Sequence, residues 1–426
     1  MLPSVQVVMG VGMLSMPYAM RLGGWAGLGA LAGSLALFNV SAHALVAGLG
    51  RLPPGAPPTY PALGAAAFGD RGKGIVTLLA VAEFGGGAVL TLAFAFSQAH
   101  LFFPASAPLS RVAPWVLAAI APLLAVPSFS KLTSLSALGN IASVAVFGGV
   151  ALCALADPSR AHAAHAHATT PPPHHAIGWG VLRAAGIFSV AVSGHSSLPA
   201  LRASMARPEK FHAVINAAFA CMALLYGGVC TVGYAYWGDG ARQVVTASIA
   251  RESPFAGRAL LPAFPALTLD AVVGGCVLLN AVTTYPALIM VVQANVLAAA
   301  AGPAAPRVRA APRLAARAAI AAATAVVAVA AYASLANALA LLGGMASMSC
   351  SLLLPAACFL SLSAGRPGTG PPAGARTRGA LWALLAVGVV VTAGVVAQAV
   401  GDLVGASNGP ALGRWGAPGW PRRGGW

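Results

Sequence analysis

The stretch from Met9 to Trp25 reads MGVGMLSMPYAMRLGGW and decides the fold of this chain. It is apolar enough to lie in a lipid bilayer, yet Gly10, Gly12 and Pro17 interrupt it. Glycine leaves the backbone conformationally free, and proline removes a hydrogen-bond donor and clashes with the preceding turn. Inside hydrocarbon, a broken helix is tolerated only where its freed N–H and C=O groups face protein or a water-filled cavity. The stretch therefore predicts a polar site within a membrane helix.

A second interruption repeats this pattern later in the chain. The segment GHSSLP at residues 194–199 has the same Gly, Ser and Pro spacing as GMLSMP at residues 12–17. Paired, interrupted hydrophobic segments in the two halves of one chain are the best sequence indication of a transporter's binding site. The alternative is two unrelated kinks in a chain that contains 50 Gly.

The composition identifies an integral membrane protein. Of the 426 residues, 58% are hydrophobic and 8% are charged, whereas about 25% of residues are charged in a soluble protein. A span takes about 20 apolar residues, and we count about eleven such runs. The net charge of +16 would favour a nucleic-acid partner in a soluble chain. Here most Lys and Arg lie in short loops between apolar runs, where they act as topology signals, so no nucleic-acid partner is expected.

The topology follows from those loops. Loops after even-numbered spans hold about twice as many Lys and Arg as the other loops, which predicts a cytoplasmic N-terminus. Residues 157–177 then form a lumenal or extracellular linker rich in His and Pro, and residues 363–378 form a cytoplasmic loop. The eleventh helix is predicted at 379–400, followed by a disordered tail at 401–426. The linker His residues could bind zinc, but the flanking Ala and Pro fix no geometry, so no metal site is predicted.

Glu83 is the only acidic residue deep in a predicted span. About ten residues of helix precede it, or roughly 15 Å, which places it near the bilayer centre. A lone carboxylate there is costly and indicates a functional site by default. It can take a coupling proton or pair with a substrate amine, and the alternative is a protonated or hydrogen-bonded structural residue.

Three further residues are candidates for ion coupling. His195 lies at the second interruption, where it can titrate near neutral pH or stay neutral and fix the unwound backbone. Thr283 and Thr284 can complete a sodium site with carbonyls of residues 8–11 only if the eighth helix packs on the first. Hydroxyls in membrane helices more often bond back to their own turn. Protons and sodium both remain open as the coupling ion, and no other cofactor is predicted.

Four blocks in order resemble the amino acid/auxin permease family. That family's opening helix reads G-x-G-x-L-x-x-P-Y-A followed by a G-W pair, and residues 10–27 here read GVGMLSMPYAMRLGGWAG. The other blocks resemble its sixth, seventh and eighth helices: GHSSLP (194–199) with SMARPEKF (204–211), Tyr226 with GYAYWGD (233–239), and NAVTTYP (280–286). The resemblance covers nearly the whole chain, and the vacuolar amino acid transporter branch is the most similar.

The resemblance implies an all-α polytopic bundle of the leucine-transporter type. Two inverted five-helix repeats, at 1–156 and 178–362, would precede the eleventh helix, with helices 1 and 6 broken. It also implies amino acid transport by alternating access, with protons favoured because the acidic lumen of a vacuole or other endomembrane compartment supplies that gradient. The alternatives are a non-transporting amino acid sensor on the same fold, or a metal-ion carrier suggested only by the His-rich linker.

On this fold, the two interruptions would form the substrate site. The half-helix from Met13 would present its positive N-terminal end to the amino acid carboxylate, and carbonyls at the second interruption would bind the amino group. The predicted substrate-binding residues are Gly10, Val11, Gly12, Met13, Ser15, Ser193, Gly194 and His195. Close helix packing through small residues is the alternative for these positions. Since no catalytic constellation is evident, the chain is not predicted to be an enzyme, and the partners expected are an amino acid and the bilayer, with no obligate protein partner.

Overall fold

The computed structural model describes residues 11–103, 107–127, 133–158, 174–301, 310–332, 335–364 and 372–408. Within these ranges, eight helices are long and apolar enough to cross a membrane. Two shorter apolar helices lie at Leu109–Leu124 and Ile141–Ala156. The interrupted first helix, whose described part begins at Val11, comes in addition to these.

The elements are helical apart from one hairpin. The helices are α1 (Met16–Gly23), α2 (Ala26–Leu49), α3 (Tyr60–Ala99), α4 (Leu109–Leu124), α5 (Thr133–Ala156), α6 (Val181–Val192), α7 (Leu198–Ala203), α8 (Phe211–Trp237), α9 (Val245–Glu252), α10 (Leu269–Ala301), α11 (Ala310–Ala331), α12 (Leu335–Leu341), α13 (Leu354–Leu362) and α14 (Ala375–Asn408). The 3-10 turns are Val11–Ser15, His100–Phe102, His195–Ser197, Pro208–Lys210 and Gly238–Gly240, and a π-helix, Leu342–Leu353, joins α12 to α13. The strands β1 (Ala259–Leu261) and β2 (Phe264–Thr268) pair antiparallel between α9 and α10.

The helices pack as two groups. Helix α10 makes the most extensive helix–helix contact of the bundle with α3, and it also packs on α5 and α4. The second group forms around α6, which packs on α1 and α2, while α8 packs on α1. The π-helix contacts α3, α6 and α14, and so lies between the groups. This packing places both interruptions in the middle of the bundle.

The second interruption has the geometry that its sequence predicts. Helix α6 ends at Val192, and Ser193 is extended, with φ −80° and ψ −175°. Gly194 has φ 120° and ψ 19°, a conformation that residues with a Cβ rarely adopt. A 3-10 turn follows, and Pro199 lies in the first turn of α7, where its missing N–H costs no hydrogen bond. The glycine and the proline therefore stop one helix and start the next.

The first interruption is a 3-10 turn in contact with the second. Val11–Ser15 form this turn before α1 begins at Met16, while Gly10 lies outside the described residues. A Cβ on Gly12 would lie 2.8 Å from the Cβ of Ala191 in α6, closer than side chains pack. Glycine at position 12 thus lets the two broken helices touch.

The eleventh helix is longer than its predicted range, and two other predicted segments lie partly outside the described residues. Helix α14 runs from Ala375 to Asn408, beyond the apolar run at 379–400 on both sides. Hydropathy measures the length of the apolar run, whereas backbone hydrogen bonds continue a helix into the polar interface. Of the predicted tail, residues 409–426 lie outside the described residues. Of the predicted linker, residues 159–173 lie outside them as well, and its last residues are bonded to the bundle.

Candidate functional site

The two interruptions and α3 line one cavity. Most of its wall is apolar, as in small-molecule sites in general. The wall residues with polar or exposed backbone groups are Gly12, Glu83, Thr91, Ser193, Gly194, Thr284 and Ser347. Three predicted substrate-binding residues and two predicted coupling residues therefore meet at one cavity.

The Glu83 carboxylate is the one acidic group in the described wall of this cavity. Glu83 is 4% exposed. The Ser351 hydroxyl donates to Oε1 at 2.6 Å, and the Ser196 hydroxyl donates to Oε2 at 3.2 Å. A buried carboxylate is costly unless it accepts such bonds, so these two serines make its charged form tolerable.

Ser351 ties Glu83 to the second interruption. Its hydroxyl oxygen accepts the backbone N–H of Gly194 at 3.1 Å and that of His195 at 3.0 Å. These N–H groups are freed by the break in the helix, and Ser351 is their partner. One hydroxyl thus joins the carboxylate on α3 to the unwound backbone between α6 and α7.

Ser347, four residues before Ser351, is the other notable hydroxyl of the π-helix. It is 1% exposed, and its oxygen has no hydrogen-bond partner among the described residues. It lies in the cavity wall. A buried hydroxyl without a partner costs free energy, about 1–3 kcal/mol, unless a ligand or water supplies the bond. Ser347 is therefore a polar contact available to a bound substrate.

The sequence predictions missed Ser196, Ser347 and Ser351. The signal was present in the run Ser347-Met348-Ser349-Cys350-Ser351, which places small polar residues in an apolar span. The run follows Gly343 and Gly344 and lies in the π-helix, a rare form that is frequent at functional sites. Serines that bond back to their own helix look the same in the sequence, so this run alone does not identify the site.

His195 turns its side chain to α2. Its Nε2 donates to the backbone carbonyl of Phe38 at 2.8 Å, and its ring packs edge-on against the Phe38 ring at 5.7 Å. Only the backbone of His195 contacts Ser351. Of the two roles that the sequence leaves open, this geometry favours a neutral histidine that fixes the interruption to α2.

Of the other predicted substrate-binding residues, Met13 and Ser15 lie away from the cavity. Met13 packs beside a small separate gap between the first interruption, α5 and α10. The Ser15 hydroxyl donates to the carbonyl of Gln243 at 2.8 Å. Val11 begins the described backbone, and Gly10 precedes it. The first interruption therefore contributes Gly12 to the described cavity wall.

The two threonines lie in α10, which packs on the first interruption. The Thr283 hydroxyl bonds back to its own helix, at the carbonyls of Leu279 (2.9 Å) and Asn280 (3.0 Å). The Thr284 hydroxyl donates to Asn280 Oδ1 at 3.3 Å, and Thr284 lies in the cavity wall. Residues 8–10, whose carbonyls would complete a sodium site, lie outside the described residues. Because α10 packs on the first interruption, sodium stays open as the alternative coupling ion.

One end of the bundle is closed by a cluster that we call the outer clasp: Trp25, His174, His175, Tyr234 and Asp239. His175 Nε2 lies 2.6 Å from Asp239 Oδ2, and His174 Nε2 donates to the carbonyl of Tyr234 at 2.9 Å. The Tyr234 hydroxyl accepts the backbone N–H of His175. The backbone N–H of Trp25 donates to the carbonyl of His175. These bonds hold the end of the linker against the end of α1, the start of α6 and the end of α8.

The opposite end of the bundle holds a larger cavity, which we call the vestibule. It lies between the start of α3, α7, the end of α10 and the start of α11. Its polar wall residues include Tyr60, Ser196, Ser197, Arg313 and Arg317. Because α2 runs from the outer clasp to the loop beside the vestibule, the two lie at opposite ends.

Sequence comparison places this architecture among transporters. A family model for transmembrane amino acid transporter proteins matches residues 2–400. Amino acid transporter AVT1B of Arabidopsis thaliana is 30% identical over 273 residues, which are 59% of this chain and 46% of that protein. Amino acid transporter AVT1H of the same plant is 26% identical over 255 residues, 58% of this chain and 57% of that protein. The chain spans about half the length of the curated relatives it matches. These matches confirm the resemblance to amino acid permeases of the vacuolar branch.

Structure comparison gives the fold. A crystal structure of an Eremococcus coleocola manganese transporter has a TM-score of 0.63 at 14% identity and covers 96% of this chain and 87% of its own. A nucleobase-cation-symport-1 family transporter in a closed conformation has a TM-score of 0.52 at 14% identity and covers 97% and 94%. At such low identity the likeness shows the fold alone. It confirms the leucine-transporter-type arrangement of two inverted repeats.

Proposed function

We propose a transport function on the premise that this chain belongs to the transmembrane amino acid transporter family, whose model its residues 2–400 match. The function is the movement of amino acids across a membrane by alternating access, coupled to protons through Glu83. The observation that carries it is the bond from Glu83 through Ser351 to the second interruption. This bond joins a titratable group to the segment of backbone that forms the substrate cavity.

Coupling follows from the charge of Glu83. A charged carboxylate in the bilayer interior needs the hydrogen bonds that Ser351 and Ser196 donate, whereas a protonated one needs fewer. Movement of α7 or the π-helix away from α3 would break those bonds. Because a protonated Glu83 needs them less, this movement costs less free energy when Glu83 carries a proton. A proton gradient can bias the cavity between its two access states in this way.

The substrate would bind between the two interruptions. Gly12 and Gly194 both line the cavity, so a ligand there would lie close to their backbone groups. The N–H groups at the first interruption suit a carboxylate, and the carbonyls around Ser193 suit an ammonium group. Ser347 adds a hydroxyl that lacks a partner in the described structure.

The orientation and the membrane are part of the proposal. With the N-terminus in the cytoplasm, the vestibule opens to the cytoplasm and the outer clasp closes the lumenal side. A vacuolar or other endomembrane location is favoured by the matched amino acid transporters. An acidic lumen would then supply the proton gradient.

The metal-ion carrier and the sensor are the competing functions. A metal site needs several His, Cys, Asp or Glu together, and the described ranges contain no group of three or more of these residues placed to hold a metal. Three His of the linker, at 162, 165 and 167, lie outside those ranges. A sensor on the same fold would bind amino acids in the same cavity without moving them.

Counterflow in proteoliposomes tests the proposal. Vesicles that contain the purified chain and an unlabelled amino acid panel are placed in labelled amino acids, with and without a pH gradient. We expect exchange for at least one amino acid and net accumulation that follows the pH gradient. Binding without exchange would indicate a sensor, and accumulation that follows sodium at constant pH would move the coupling site to Thr284.

A further inference from the structure

Ser196 lies between two compartments that the rest of the structure keeps apart. Its hydroxyl donates to Glu83 Oε2, and Glu83 lies in the wall of the central cavity. Ser196 itself lies in the wall of the vestibule, where Glu83 does not. Ser196 is 7% exposed, which is more than Glu83. Ser196 therefore links the buried carboxylate to the wall of the vestibule.

The hydrogen bonds of Ser351 determine which oxygen of Glu83 is free to take a proton. A hydroxyl has one proton to donate and two lone pairs that accept. Ser351 donates its proton to Oε1 and accepts the N–H groups of Gly194 and His195. A proton on Oε1 would have no lone pair of Ser351 to bind, so it would break one of these bonds. Oε2, which faces Ser196, is the oxygen that accepts a proton without that loss.

We propose that Ser196 is the proton relay between the vestibule and Glu83, an inference that rests on the proposed proton coupling. A hydronium ion in the vestibule donates a proton to Ser196 Oγ as the hydroxyl proton of Ser196 passes to Glu83 Oε2. One O–H bond breaks in hydronium as one forms at Oγ, and one breaks at Oγ as one forms at Oε2. The carboxylate goes from charge −1 to neutral, and water remains in the vestibule. The reverse sequence releases the proton.

The other titratable groups near Glu83 offer no equal route. The Tyr60 hydroxyl donates its proton to the Cys350 carbonyl at 2.5 Å, and the His195 ring is directed to Phe38 on α2. The Cys350 thiol contacts Ser196 Oγ at 3.2 Å and does not line the described wall of either cavity. From α10 and the first interruption, the described cavity wall receives no titratable side chain.

The two arginines of the vestibule are charged groups on the same route. Arg317 donates to Gln293 Oε1 and to the carbonyls of Leu124 and Val126, and Arg313 lies one turn before it. Both remain protonated, so neither carries a proton to Ser196. Their positive charge makes the vestibule unfavourable for hydronium and favours release of the proton from Glu83 towards the cytoplasm.

Hydrogen–deuterium exchange of the Glu83 carboxylic proton tests the relay and does not depend on transport. Infrared spectra of the purified protein give the C=O band of protonated Glu83, identified by its loss in Glu83→Gln. After a jump into D2O, we expect Ser196→Ala to slow the isotope shift of this band by at least ~10-fold, since relay groups contribute such factors to proton transfer. Ser196→Thr keeps the hydroxyl and is expected to exchange within about twofold of the unmodified protein.

Ser197→Ala is the matched control. Ser197 lies in the same vestibule wall, and its hydroxyl bonds to the carbonyl of Gly194 instead of Glu83. It should leave the exchange rate unchanged. Equal exchange in Ser196→Ala and the unmodified protein would overturn the relay, as would a C=O band that is absent at every pH at which the protein is folded. If exchange slows in Ser196→Ala but counterflow finds no amino acid transport, the relay stands and the proposed function fails.

Discussion

The outer clasp and the vestibule end of the central cavity are held together by different kinds of contact. The clasp is made of rings and one ion pair, Trp25, Tyr234 and His175 with Asp239, at the ends of loops. The vestibule end is an unwound backbone segment, Gly194 and a 3-10 turn, which two serine hydroxyls bonded to one carboxylate hold in place. Side chains at a loop end can rearrange without moving a helix, whereas the second group changes when α7 or the π-helix moves. The two ends should therefore respond to mutation in different ways.

The largest effect is expected at the contact between the broken helices. A leucine at Gly12 would collide with Ala191, whose Cβ lies 2.8 Å from the position of the new Cβ, and would fill the cavity. Overpacking of this kind costs about 1–3 kcal/mol and forces helices apart. We expect Gly12→Leu to abolish counterflow while the protein still reaches the membrane.

The control for that variant is Gly33→Leu in α2. No heavy atom of the described structure lies within 4 Å of a Cβ added there, so the same change meets open space. It should retain counterflow. Normal transport by Gly12→Leu would reject the assignment of the cavity to the substrate.

The next effect concerns coupling at Glu83. We expect Glu83→Gln to remove the dependence of uptake on the pH gradient while exchange continues. Gln keeps the shape and can accept the bonds from Ser196 and Ser351, but it cannot cycle a proton. The measurement is uptake at a fixed substrate concentration against an imposed pH gradient. Gradient-driven accumulation that persists in Glu83→Gln would place the coupling group elsewhere.

A smaller effect is expected at the outer clasp. The side chains of His175 and Asp239 are 60% and 22% exposed, so their pair contributes little to stability. The pair holds the end of the linker to the turn that follows α8. We expect His175→Gln to loosen the clasp, measured as a roughly two- to fivefold faster exchange, as for loss of a modest ion pair.

Asp239→Asn and the double variant complete the test. If the pair acts as a unit, the double variant should equal either single variant within error. Additive effects in the double variant would show that His175 and Asp239 act separately.

The parts predicted from the sequence are those whose chemistry is local. Gly12, Gly194 and Pro199 belong to a repeated spacing of helix-weakening residues, and Glu83 is conspicuous because carboxylates are rare in spans. Ser351 could not be found in this way, since its partner Glu83 lies 268 residues away in the sequence. The role of His195 depends on a backbone carbonyl of α2, which no side-chain pattern reveals.

The smallest effects are expected at Ser347. Ser347→Ala should not lower the stability of the empty protein, but it should weaken amino acid binding. In the empty protein its buried hydroxyl lacks a described partner, so Ser347→Ala should leave the melting temperature unchanged or raise it slightly. If the substrate supplies the missing bond, the same variant should weaken amino acid binding by about two- to tenfold, the worth of one hydrogen bond. Ser361→Ala is the matched control, because its hydroxyl donates to the carbonyl of Ala67 at 2.9 Å, away from the cavity. That variant should lower the melting temperature and leave binding unchanged. Thermal unfolding with and without amino acid separates the two patterns, and an unchanged affinity in Ser347→Ala would remove this hydroxyl from the substrate site.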